Sequence, residues 1–193
     1  MIGPMTSEIN DNLLPLSRRL DWRFVFANPS LQHVVVAGQP DDDLLNALMA
    51  LSDHVSIWQG QSVESCSMLV MQNPSSSLCR RALETINPVQ FYFEFGSHSL
   101  NFRIRHVFDR ALCIAAARNS GYTAIRSFWH WPDIANANRI IPLSQSEALS
   151  FVLAKDRSDF KTSLKMAGLN FLRQTGLLVL IIKSLGIAGE RSV

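Results

Sequence analysis

Residues able to move a proton or hold a ligand fall at the ends of apolar runs in this chain. Glu94 closes most of the aromatic run "VQFYFEFG" at 89–96. Open α/β sheets bind ligands beyond the C-terminal ends of their strands, so a carboxylate there is placed for general-base work. An exposed strand-end acid is the simpler account of the same residue. His98 follows in the next loop, and histidine is the side chain that titrates near neutrality. His130 sits in "FWHWPD" among Phe128, Trp129 and Trp131, with Asp133 beyond. Those rings suit a sugar or an aromatic ligand, and they equally suit packing across a hairpin. Glu94, His98 and His130 are the candidate catalytic groups.

A second constellation lies earlier. "VVVAGQPDDDLLNALMALSDHVSIW", residues 34–58, reads as strand, sharp turn, helix and strand. At its turn Gly38 either lets a ligand approach the backbone closely or only supplies a positive φ. Asp41, Asp42 and Asp43 complement the positive end of the helix that follows.

Several chemistries lack their residues. His33, His54 and His106 have no metal-ligand spacing, so no metal is predicted. There is no G-x-S-x-G, no Walker loop and no full dinucleotide fingerprint, which leaves hydrolase, kinase and dehydrogenase readings unsupported. Cys66, Cys79 and Cys113 are an odd number without a C-x-x-C pair, and read as buried thiols. A net charge of +2 gives no electrostatic footprint for nucleic acid.

The elements that must position these groups alternate. Strands are expected at 34–37, 54–58, 66–74, 89–96, 122–131 and 177–185, with helices at 41–51, 75–86, 102–121 and within 148–176. Residues 18–26 alternate Leu20, Trp22, Phe24 and Phe26 as a strand would. Alternating strands and helices predict a mostly parallel sheet covered on both faces. With 193 residues, 47% of them hydrophobic, the chain suits one domain with a full core: an N-terminal extension at 1–29, then an α/β domain at 30–193 with a helical insertion at about 144–175. The longest apolar run, "GLLVLII", falls short of the roughly 20 residues that span a membrane. With no signal-peptide pattern at the start, a soluble cytoplasmic protein is expected.

This order of pieces, with "NPVQFYFEF" and above all "ARNSGYTAIRSFWHWPD", resembles class I S-adenosylmethionine-dependent methyltransferases over roughly residues 30–185. "RRLDWRF" and "RIIPLSQSEALSFVLA" are similar to a subgroup found beside polysaccharide and glycolipid assembly genes. The resemblance implies a Rossmann-like sheet ending in an antiparallel hairpin, here lacking one strand because only "QGQSVES" separates 58 from 66. It implies S-adenosylmethionine as cofactor, held by Ala37, Gly38 and Gln39 in the first turn, Gln59 after the second strand, and Asn73 and Pro74 after the third. It further implies methyl transfer to oxygen or nitrogen of a small molecule or glycan.

The residues depart from the family pattern at defined points. The family's first turn is commonly Asp/Glu-x-Gly-x-Gly-x-Gly, where this chain reads "VAGQPDDD". Val36 or Ala37 stands in the place of the acid, and Pro40 removes a backbone donor. Gln59 replaces the carboxylate that takes ribose hydroxyls, so its hydrogen bonds lack charge assistance. "NPSS" lacks the second proline and the aromatic of the amino-group enzymes, and Asn73-Pro74 also reads as a plain turn. These departures keep a second expectation open: a non-catalytic module of the same fold that binds a partner protein.

Overall fold

The computed structural model describes residues 13–63, 66–96, 100–134, 137, 139–145, 147–148, 178 and 182–191. His98 and, within the expected insertion, residues 146 and 149–175 lie outside them.

Apolar residues of alternating orientation build the centre. In β1 (His33–Ala37), Val34 and Val36 face one side and Val35 and Ala37 the other, all essentially without solvent exposure. β3 (Met68–Gln72) and β4 (Gln90–Gly96) repeat the pattern. Burial on both faces is the signature of a parallel sheet clad by helices. One face meets α3 (Ser76–Ile86) and α4 (Leu100–Asn119) through Cys79, Leu83, Cys113 and Ala117. The other meets α2 (Asp42–Leu51) and the N-terminal segment through Leu44, Leu48, Leu20 and Trp22.

With β2 (His54–Trp58), β5 (Tyr122–Trp131), β6 (Arg139–Pro142) and β7 (Ser184–Arg191), the strands form one open sheet in the order β2-β1-β3-β4-β7-β5-β6. The first four pair in parallel. β7 runs antiparallel to both β4 and β5, and β6 closes the far edge antiparallel to β5. The fold is Rossmann-like with an antiparallel C-terminal hairpin, as the sequence predicts. β2 is an edge strand, and the described residues between it and β3 contain neither helix nor strand. The thiols of Cys66, Cys79 and Cys113 are free and buried. No helix among the described residues is long and apolar enough to cross a membrane.

Two expectations are corrected. Residues 18–26 are not a strand: α1 (Leu13–Arg19) is followed by a 3-10 helix at Asp21–Val25. Leu20, Trp22 and Phe26 are buried there while Phe24 is 62% exposed, so the alternation comes from short helical turns against the sheet. The last strand is not 177–185 but β7, Ser184–Arg191. Leu178 is helical, and Ile182 N–H donates to its carbonyl oxygen at 3.2 Å. Gly186 and Gly189 disguise β7 in the sequence, yet close packing requires them. A Cβ on Gly186 would overlap the Tyr92 hydroxyl, and one on Gly189 the Phe91 ring.

Candidate functional site: an amide-lined cleft and a buried charged pair

Strands β1, β2 and β3 end together, and a cavity of about 720 Å³ opens beyond their C-terminal ends. That volume lies within the usual range of small-molecule sites. Gly38, Gln39, Trp58, Gln59, Gly60, Gln72 and Asn73 line it from the strand ends; Ser75, Leu78 and Arg81 line it from the start of α3. Four of the residues expected at a cofactor, Gly38, Gln39, Gln59 and Asn73, therefore converge on one cleft. Ala37 and Pro74 are buried beside it.

Local chemistry explains the shape of the turns. Gly38 has φ +93°, and a Cβ there would stand 3.3 Å from Leu78 Cδ2, so the turn is narrow and closed to larger residues. Asp41 caps α2 by accepting from Leu44 N–H at 2.7 Å. Its own N–H donates to Gln72 Oε1 at 2.7 Å, which ties the first turn to the end of β3. Desolvation pushes the Asp41 carboxyl up, but Gln72 Nε2 donating to its Oδ2 at 2.5 Å, the Leu44 N–H and the nearby Arg19 together hold it below its ordinary range. After β2, the Gln59 N–H donates to Gln61 Oε1 at 2.8 Å and the Trp58 indole N–H to the Gln61 carbonyl at 2.7 Å. Asn73 adopts φ +46° and its Oδ1 accepts from Gly96 N–H at 2.9 Å. Ser75 caps α3, accepting from Leu78 N–H at 3.3 Å. The Arg81 guanidinium lies 5.8 Å from the Trp58 ring centroid. It is the one charged group among the described lining residues.

The catalytic candidates lie elsewhere. Glu94 is not an exposed strand-end acid, because its side chain is fully buried. Arg19, 4% exposed, grips it with two hydrogen bonds of 2.6 and 2.7 Å. Burial pushes the Glu94 carboxyl above its usual range while the guanidinium pulls it back. Burial likewise opposes the Arg19 charge, but Glu94 outweighs it and Arg19 stays a cation. Arg19 also approaches Asp41 at 3.6 Å. His130 is 1% exposed and hydrogen-bonded through Nε2 to the Tyr92 hydroxyl across Gly186. Burial lowers its pKa to about 4, so the ring is neutral near pH 7. Its Nδ1 has no partner among the described residues. Trp22 stacks on Tyr92 with centroids 4.1 Å apart. Glu94 and His130 thus share the face covered by the N-terminal segment, and neither lines the cleft.

Arg81, Trp58, Gly60, Gln72, Ser75 and Leu78 line the cleft without having been singled out as site residues. The pair Arg80-Arg81 on the polar side of a helix carried no distinguishing signal in the sequence.

Neither a protein-family model nor a curated protein matches this sequence. Solved structures resemble it in fold alone. Haemonchus contortus phosphoethanolamine N-methyltransferase 2, with phosphomonomethylethanolamine and S-adenosylhomocysteine, is similar at 9% identity and TM-score 0.45 over 95% of this chain. The chain spans about half of that protein, 53% of its length. The plantazolicin methyltransferase BpumL with S-adenosylhomocysteine is similar at 9% identity and TM-score 0.42, covering 92% of this chain and 85% of the other. A possible histamine N-methyltransferase from Thermotoga maritima is similar at 7% identity and TM-score 0.39, covering 92% and 89%.

Proposed function

We propose that this chain is a cytoplasmic S-adenosylmethionine-dependent methyltransferase acting on oxygen or nitrogen of a small molecule or glycan. The observation that carries the reading is the convergence of Gly38, Gln39, Gln59 and Asn73 on one cavity at the ends of three parallel strands.

The residues fit the cofactor in size and in backbone shape. The narrow turn at Gly38 would hold the amino-acid portion, and the Gln59 amide would hydrogen-bond the ribose hydroxyls. Asn73, at the end of β3, would border the reacting end. When bound, the cofactor supplies a methyl group on a sulfonium. The chain supplies confinement and alignment, which in favourable cases account for about 7–11 kcal/mol of a barrier. Glu94 and His130 take no proton in this reading, because one is engaged by Arg19 and the other is a neutral, buried partner of Tyr92. An acceptor that loses its proton readily to water suits such a site.

Calorimetric titration with S-adenosylmethionine and S-adenosylhomocysteine tests the reading. Micromolar binding is expected, and Gly38→Val is expected to abolish it because a branched side chain at φ +93° fills the turn against Leu78. A folded wild-type sample that binds neither ligand refutes the enzyme. A second reading, a non-catalytic module docking a partner protein, is favoured by one feature: no carboxylate lines the cleft among the described residues, so the cofactor's ammonium group lacks a counter-charge there.

A further inference from the structure

The charge of the cleft points away from cations. Its described lining consists of amides, a hydroxyl, apolar groups and the single guanidinium of Arg81. That guanidinium stands at the end of β2, where a Cβ on Gly60 would be 3.7 Å from its Nη2. Gly60 itself has φ +104°, so the chain passes beneath the arginine with no side chain between them. The Trp58 ring centroid lies 5.8 Å from the guanidinium, and its indole is fixed by the bond to the Gln61 carbonyl. Gln61 likewise accepts the Gln59 N–H, at 2.8 Å.

Arg81 therefore lies beside the Trp58 ring with no hydrogen-bond acceptor for its five donors among the described residues. A planar fork of this kind matches the paired oxygens of a phosphate. In open parallel sheets the end of the second strand is where ribose hydroxyls arrive. An acid there selects a free diol, whereas a nearby arginine accommodates a phosphorylated one. This cleft has Gln59 and Arg81 in place of the acid.

We infer that the cleft binds phosphorylated adenosine, the phosphate held by Arg81 over Gly60, in competition with the sulfonium cofactor. The adenosine part rests on the proposed methyltransferase reading; the phosphate part rests on Arg81. Nucleotide occupancy would then regulate the same site by exclusion.

The test compares dissociation constants of adenosine, adenosine 2′-monophosphate, adenosine 5′-monophosphate, inorganic phosphate and S-adenosylhomocysteine for the wild type, Arg81→Gln and Arg81→Lys. Arg81 is on the surface, and thermal melts confirm that the variants fold. At least one monophosphate is expected to bind about tenfold or more tighter than adenosine, the scale of one charge-assisted hydrogen bond. That ratio should fall to near one in Arg81→Gln, be partly kept in Arg81→Lys, and the nucleotide should displace S-adenosylhomocysteine. Equal binding of adenosine and both monophosphates, or a ratio unchanged in Arg81→Gln, overturns the inference. Inorganic phosphate binding as tightly as the nucleotide overturns its adenosine part. If the monophosphates bind and S-adenosylhomocysteine does not, the methyltransferase reading falls and the anion site stands. The converse result spares the methyltransferase and removes the anion site.

Discussion

Asn73 directly follows β3 and Glu94 lies in the neighbouring β4, and the Asn73 N–H donates to the Glu94 carbonyl oxygen at 2.7 Å. Their side chains nonetheless live in opposite conditions. Asn73 borders an open cleft of neutral amides, while Glu94 is sealed under α1 with Arg19. The groups whose types suggest catalysis, Glu94 and His130, are in the region without solvent. The region with room for a ligand has almost no ionisable groups. Residue type therefore points to reactivity only once burial is known: the same carboxylate is a base in water and a structural anchor beside a guanidinium.

Opening the sealed side tests this contrast most severely. Glu94→Gln or Arg19→Met removes one partner of a buried pair and leaves the other uncompensated. Each single change is expected to cost about 3–5 kcal/mol in chemical denaturation. The double change Arg19→Met with Glu94→Leu should recover most of that loss, since an apolar pair carries no desolvation penalty. Single variants that cost less than about 1 kcal/mol would mean the pair is wet and the sealed region misassigned. The double variant also probes independence. Asp41 touches both Arg19 and Gln72, so weakened S-adenosylhomocysteine binding in a stable double variant would show that α1 shapes the cleft.

A smaller effect separates the regions by pH. His130 has a folded pKa of about 4 against an ordinary 6.5, so the unfolded chain takes its proton first as pH falls. Stability from keeping this ring neutral is complete above pH 6.5 and is lost between pH 6.5 and about 4. The loss amounts to roughly 3 kcal/mol. Glu94, whose carboxyl is raised, acts in the opposite sense and offsets part of the loss at the low end of that window. In His130→Gln the slope of stability across the window should flatten, and a slope unchanged from the wild type would place the titrating group elsewhere. The described lining of the cleft holds no carboxylate, imidazole or thiol to contribute to this window.

Much of this arrangement was legible in the sequence. Apolar runs bounded by Gly38-Gln39-Pro40, Asn73-Pro74 and Asn87-Pro88 set the parallel core, because turn chemistry is local and strongly encoded. Gly121, at φ +89°, ends α4 as its type suggests. That Gly38, Gln59 and Asn73 would share a site was implied by the family resemblance rather than by the residues themselves, and the structure places all three on one cleft. What failed was non-local. Leu20, Trp22 and Phe26 mimic a strand period, and only their packing against the far sheet face turns them into helical residues. The run at 177–182 looks more strand-like than "SLGIAGER", yet β7 needs small residues to pass over Tyr92 and Phe91. The Arg19–Glu94 pair spans 75 positions and leaves no trace in local sequence. Arg81 was equally silent, since surface arginines on helices are ordinary.

The finest adjustment restores to the cleft the acid that its sequence lacks. In Gln59→Glu a carboxylate would stand at the end of β2, and charge assistance roughly doubles a hydrogen bond to a ribose hydroxyl. S-adenosylhomocysteine should then bind about five- to tenfold tighter, with stability changed by less than about 1 kcal/mol because the position is exposed. The same change should weaken adenosine monophosphates, by like-charge repulsion and because the new carboxylate would pair with Arg81 in their stead. Opposite movement of the two ligand classes is the signature of a cleft that reads the ribose at Gln59. If both ligands tighten or both weaken together, the ribose does not lie there and the polarity assigned to the cleft is reversed, with Asn73 rather than Gln59 at the nucleoside end.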